Sequence, residues 1–256
     1  MTLSGPPNFV TIRRQFDFKS IEMGQWVTVE ERNRAALNFY NALMDLMKVL
    51  NSPETLISLR GSLGLQYGKG GRPGISAHYI PAIRKLSLAK NAGAGSLAHE
   101  WFHAFDHYMG EKMFPIADRM AFASKLWLND YPYGPHTLNT LLAQCYETIL
   151  LSPDGKHPSE LFIASQKTDE RLNTLYYSKP EEMCARAFEA FIEDSVPNSR
   201  FLVRGTLDSD EAKLGLYPKG EQRLLINEMF QQYFSLLGDA LHREQRKLAN
   251  QATGIS

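Results

Sequence analysis

The sequence predicts an α+β fold: a small, largely antiparallel sheet packed on one chemically unusual helix, followed by a mainly helical lobe. Three observations carry this expectation. Short β-like runs separated by Gly and Pro clusters fill residues 55–90. Helical periodicity governs most of the chain beyond residue 95. Hydrophobic residues make up 43% of the chain, yet no stretch of 18 or more apolar residues is available to cross a bilayer.

Thr28 and Glu31 stand at capping-box spacing ahead of a helix in which Leu37, Tyr40, Leu43, Met44 and Met47 recur at helical intervals, ending near Asn51 and before Pro53. The runs "TLISL", "SLGLQYG", "ISAHYI" and "KLSLAK" then read as strands, broken by the turn-rich "GKGGRPG". Five helices are expected afterwards, in "SLAHEWFHAFDHYM", "ADRMAFASKLWL", "TLNTLLAQCYETILL", "PEEMCARAFEAFIED" and the long segment 219–249. Gly238 should bend or break the last of these, which is expected to dock on the core, and the tail "NQATGIS" should fray. With no repeat or long linker, residues 1–256 read as one domain, with a sheet-bearing lobe at about 10–110 and a helical lobe at about 111–250.

Lys and Arg number 28, as do Asp and Glu, so no net field recommends a nucleic acid or an acidic membrane as partner. The first residues, "MTLSGPPNFVTIRRQFDF", hold no long apolar run. Only Cys145 and Cys184 occur, too few for a disulfide framework, so a reduced, cytoplasmic setting is expected.

The chemistry concentrates in "NAGAGSLAHEWFHAFDHYMG", residues 91–110. Gly93, Gly95 and Ser96 lead into the helix, with Ser96 as N-cap. At 100° per residue, His103 lies about 40° from His99 and one turn on, so both imidazoles face one way. Glu100 stands beside the first. This is the HExxH arrangement, in which two imidazoles hold one zinc ion and the glutamate acts as general base toward metal-activated water. Leu97, Ala98, Trp101, Phe102, Ala104 and Phe105 cover most of the circumference, and burying His99, Glu100 and His103 among them without partners would cost several kcal/mol. A metal removes that conflict.

A catalytic zinc site takes three protein ligands. His107 is too far along the axis, about 12 Å from His99. His107 and Asp106 are expected to orient the ligands or to face solvent near the helix end. The better source is residues 176–194, "YYSKPEEMCARAFEAFIED", where Glu182, Arg186, Glu189 and Glu193 form a narrow charged stripe on an otherwise apolar helix. Glu181 points about 100° away, so geometry leaves Glu182 or Glu189 as the ligand; the plainer alternative is an ordinary solvated face.

"GAGSLAHEWFHAFDHY", "SLGLQYGKGGRPGISAHYIPAIRKLSLAK", "IEMGQWVTVEERNRA" and "KPEEMCARAFEAF" together resemble the zincin-type metallopeptidase domain of large polyvalent proteins of phages and mobile elements. The likeness runs from about residue 14 to 235. A more distant likeness is to the zinc-peptidase domain of calcium-activated chloride channel regulators. The resemblance implies a zincin-like fold and a glutamate as third ligand, as in gluzincins. Glu182, just before Met183, Cys184 and "ARAF", is the position it matches, although the 79-residue step from His103 is longer than in the best-known members. It also implies that an edge strand within "HYIPAIRKLSLAK" pairs with extended substrate.

His99, His103 and Glu182 would then hold one Zn²⁺ while Glu100 moves protons. Tyr176 and Tyr177 are candidate oxyanion donors by position, with His78 and Tyr217 behind them. The reading is a zinc-dependent metallopeptidase acting on a peptide or protein substrate. Its alternatives are a catalytically silent zincin-fold binding or regulatory protein, and a metal-dependent hydrolase of a non-peptide bond.

Overall fold

The computed structural model describes residues 5–25, 27–69, 77–89, 95–115 and 118–253. In chain order the elements are α1 (Phe9–Phe16), β1 (Ile21–Met23), α2 (Val29–Val49), α3 (Glu54–Ile57), β2 (Gly64–Tyr67), β3 (Ala77–Ile80), a 3-10 turn (Pro81–Ile83), β4 (Lys85–Leu88) and α4 (Leu97–Met113). After these come α5 (Ala123–Leu128), α6 (Thr137–Leu150), α7 (Glu160–Leu172), α8 (Pro180–Ser195), α9 (Asp210–Lys213) and α10 (Gly220–Thr253). The architecture is α+β and mostly helical.

The expected antiparallel sheet is instead mixed. Its order is β1-β2-β4-β3, with β1, β2 and β4 mutually parallel and only β3 antiparallel, to β4. Connection length explains the difference. Parallel neighbours need a long crossover, which α2 and α3 supply between β1 and β2, whereas the short Pro81–Ile83 turn folds β3 back on β4 as a hairpin. That places β3 at the edge.

"TLISL" is also corrected, from strand to the single turn of α3. Pro53 at its N-cap starts the turn, and left-handed Leu59 and Arg60 end it. The capping box of α2 is present as expected, with Glu31 N–H donating to the Thr28 hydroxyl and Thr28 N–H to Glu31. Helices α1, α7 and α9 and strand β1 were not anticipated from the sequence. Cys145 and Cys184 are buried and free.

Helix α10 is continuous through Gly238, against the expected bend. A Cβ at Gly238 would stand 2.0 Å from the Asn51 carbonyl oxygen, so glycine serves there to let α10 cross the end of α2 closely. The docked part of the expectation holds, with α10 packed on α6 and α8. The helix also continues through Thr253 where fraying was expected; residues 254–256 lie outside those described.

An aromatic layer fixes the helices that matter for the site. Trp101, Phe102 and Phe105 of α4 meet Phe188 of α8 and Phe230, Tyr233 and Phe234 of α10, with Phe102 and Phe188 ring centres 4.9 Å apart. Aromatic pairs of this kind contribute about 0.5–1.5 kcal/mol each beyond area burial. Trp101 Nε1–H donates to the Ile57 carbonyl at 3.0 Å, tying α4 to α3. Among the described residues, no helix is long and apolar enough to cross a membrane.

Candidate metal centre

The N-terminus of α4 is not capped by Ser96, whose hydroxyl is buried without a partner and whose backbone is helical. The connection after α8 replaces it: Ala98 N–H donates to the Leu202 carbonyl, and Gly95 N–H to that of Phe201. Gly93 lies outside the described residues. Because α4 and α8 are locked by the aromatic layer and by this contact, their polar stripes face each other.

Both imidazoles and one carboxylate converge there. His99 Nε2 and His103 Nε2 lie 3.0 Å apart, Glu182 Oε2 is 3.3 Å from His99 Nε2, and Glu182 Oε1 is 3.5 Å from His103 Nε2. One donor atom from each residue falls within 4.8 Å of the other two. Donors about 2.0–2.2 Å from a tetrahedral ion stand roughly 3.3–3.6 Å apart, so these three residues are close enough to share one metal ion.

The choice between Glu182 and Glu189 has a geometric answer. Glu189 Oε2 is 2.9 Å from His99 Nδ1, the nitrogen on the far side of the ring. A carboxylate there accepts the Nδ1 proton and leaves Nε2 with its lone pair aimed at His103 and Glu182. Tyr217 donates its hydroxyl to the same Glu189 oxygen at 3.2 Å. Glu182 therefore faces the donor cluster, while Glu189 backs it.

The charged stripe of α8 is no solvated face. Glu182, Arg186 and Glu189 are 9%, 4% and 5% exposed. Arg186 donates to the Leu216 carbonyl and to that of Tyr177, and Glu193 accepts from Gly205 N–H and Thr206 N–H. The stripe holds the loops around α8 as well as the centre.

Electrostatics favour a cation at the convergence. Burial works against a charged His99, yet the Glu189 carboxylate beside it, with Glu182 and Glu100, pushes the imidazole up to about 10. Burial likewise works against an ionised Glu182, and His103 and His99 nevertheless hold its carboxyl well below the usual range. Apart from its 3.3 Å ion-pair contact with His99 Nε2, the buried Glu182 Oε2 has no hydrogen-bond partner. A divalent cation could replace the protons that this cluster otherwise gathers, and would give that oxygen a partner. The residues fit a metal.

Glu100 points from α4 to the sheet edge, where its carboxylate accepts from Tyr79 N–H at 2.6 Å. Tyr79 is a site residue that sequence reasoning missed. Its hydroxyl meets His107 Nδ1 at 2.7 Å, and His107 Nε2 lies 2.6 Å from the Arg119 carbonyl. A carbonyl only accepts, so Nε2 carries the proton and Nδ1 accepts from the tyrosine. Burial keeps this imidazole below its ordinary value.

His107 and Asp106 do not face solvent as one expectation had it: they are buried, 1% and 0% exposed, and hydrogen-bonded into the surrounding framework. Asp106 accepts from Ser124 N–H, from the Ser124 hydroxyl and from the Tyr146 hydroxyl, joining α4 to α5 and α6. His78 is not brought to the centre. Strand alternation turns it to the face opposite Tyr79, which packs toward α4.

The two tyrosines before α8 separate. Tyr176 is 42% exposed as a residue, but burial of its hydroxyl first, and then the nearby Glu182 carboxylate, push its ionisation up. The Tyr177 ring instead stacks under Arg186, 5.7 Å from its guanidinium carbon. Asp169 fixes the whole turn by accepting Tyr176 N–H, Tyr177 N–H, Ser178 N–H and the Ser178 hydroxyl. No sequence signal marked Asp169, because its partners lie one loop away.

Residues 168–241, less than a third of the chain, match the family described as large polyvalent protein-associated domain 1. That match takes in α8, the loops after it and most of α10, but not the histidines of α4. No curated protein and no solved structure matches the chain.

Proposed function

We propose that this chain is a zinc-dependent metallopeptidase of zincin-like fold and gluzincin type, holding one ion with His99, His103 and Glu182. The observation that carries the reading is the convergence of two α4 imidazoles and one α8 carboxylate within 4.8 Å, beside a glutamate that a purely structural metal would not need. When bound, zinc supplies a Lewis acid that polarises a carbonyl and acidifies water toward neutrality.

The chain's own residues do the rest. Glu100 takes the proton of the attacking water and delivers it to the leaving amine. Tyr176 donates its hydroxyl to the oxyanion that develops on the scissile carbonyl. Glu189, itself held by Tyr217, fixes the His99 ring and keeps its Nε2 free for the ion. The β3 edge offers backbone groups to an extended substrate, a recurring mode of peptide recognition.

The test is cleavage of a mixture of synthetic peptides by zinc-loaded protein, read by mass spectrometry. New termini should form with wild type and vanish with chelator or with Glu100→Gln. An unchanged mixture, or cleavage that persists in Glu100→Gln, contradicts the proposal.

A further inference from the structure

A groove of about 1120 Å³ lies where the connection between α6 and α7 meets the start of α10, and no residue of the candidate metal centre lines it. Leu151, Ile163, Leu225 and Met229 give it an apolar floor. Ile163 and Leu225 are 40% and 41% exposed. Glu147, Glu160, Glu221 and Glu228 surround this floor against one lysine, Lys219. All four glutamates are exposed, and none is in an ion pair among the described residues. The chain as a whole is electrically balanced, so the fold has gathered negative charge here.

The last turns of α10 have the complementary character. Its packed stripe ends at Leu241, 8% exposed, but Leu248, one heptad on, continues the same stripe and is 59% exposed. Arg243, Arg246 and Lys247 lie roughly 100° or more around the helix from Leu248. They are exposed and in no ion pair among the described residues. The result is an amphipathic helix end with an apolar residue that has no core beneath it.

The two features cannot meet within one molecule. They sit at opposite ends of one continuous helix, with Gly220 and Leu248 about 42 Å apart at 1.5 Å per residue. We infer that the last turns of α10 seat in the acidic groove of a second copy, with Leu248 on the apolar floor. The long stems of Arg243, Arg246 and Lys247 reach sideways to the glutamates. Two turns of helix, about 10 Å across and about 11 Å long, occupy roughly 900 Å³, which suits the groove. Because the contact joins two different surfaces, copies add head to tail and either close a ring or extend a chain. The inference stands independently of the metal centre.

Sedimentation velocity on the full chain at about 100 μM tests it, at about 50 mM and about 500 mM salt. Wild type should sediment above its 29.0 kDa monomer at low salt and return to monomer at high salt. A helix-end reversal (Arg243→Glu, Arg246→Glu, Lys247→Glu) and a groove reversal (Glu221→Lys, Glu228→Lys) should each be monomeric alone. Mixed in equal amounts they should associate again, since each reversed surface then meets its complement. Association that ignores the reversals, or a mixture that stays monomeric, overturns the assignment. A wild type that is monomeric throughout also overturns it, and would leave the groove to a basic partner other than this chain.

Discussion

The backbone N–H of Tyr79, on the outer edge of β3, donates a 2.6 Å hydrogen bond to the carboxylate of Glu100, the residue between His99 and Trp101. One carboxylate thus links the candidate chemistry on α4 to the strand edge that would receive a peptide. Glutamine can still accept Tyr79 N–H but cannot serve as the base. Glu100→Gln should therefore fold and keep its metal while peptide hydrolysis falls by about 10²–10⁴-fold, read by turnover beside metal content.

Glu189 acts through His99. Replacing it by glutamine should weaken zinc affinity by about 10–100-fold without abolishing binding, measured by competition with a chromophoric chelator. Glu182→Ala should have the larger effect, because it removes a donor from the cluster itself.

Tyr176 and Tyr177 are neighbours in sequence with different surroundings. Tyr176→Phe should lower kcat by about 10²–10³-fold with zinc retained, the effect expected of a lost oxyanion donor. Tyr177→Phe should leave kcat within a few-fold, since its ring packs on Arg186. Equal losses in the two variants would remove Tyr176 from the mechanism.

Asp169 carries a pH dependence with a defined sign. Burial alone would raise its carboxyl, but the Ser178 hydroxyl and the N–H groups of Ser178, Tyr176 and Tyr177 outweigh that and hold it low. A group depressed in the folded state stabilises above its unfolded value of about 3.9 and loses that contribution as pH falls through the folded one. Denaturant unfolding should show wild type losing stability relative to Asp169→Asn as acid is added below about pH 4. A difference that does not change with pH would contradict the role.

Gly238→Ala tests the crossing of α10 over α2. Helix propensity alone favours alanine by about 1 kcal/mol. The 2.0 Å approach to the Asn51 carbonyl should reverse that sign and destabilise by about 1–3 kcal/mol in urea unfolding.

Legibility in the sequence depended on how local each signal was. His99 and His103 share a helix face and Glu100 is adjacent to the first, so one helical period and one short motif marked all three. The α8 stripe was equally readable, but choosing between Glu182 and Glu189 needed the side of the His99 ring that each one meets, which depends on how α8 lies against α4. The β-like runs marked β2, β3 and β4, yet their directions came from crossovers that no short pattern encodes. Tyr79, His107 and Asp169 act through partners in other elements, and Leu202 replaces a cap that Ser96 was expected to provide.

The most direct test of the metal centre is zinc content by mass spectrometry on purified wild type, His103→Ala, Glu182→Ala and Glu100→Gln. About one zinc per chain is expected in wild type and Glu100→Gln, with its loss from the other two. Folded wild type that takes up no zinc when supplied, or Glu182→Ala that keeps it fully, would contradict the assignment of this centre.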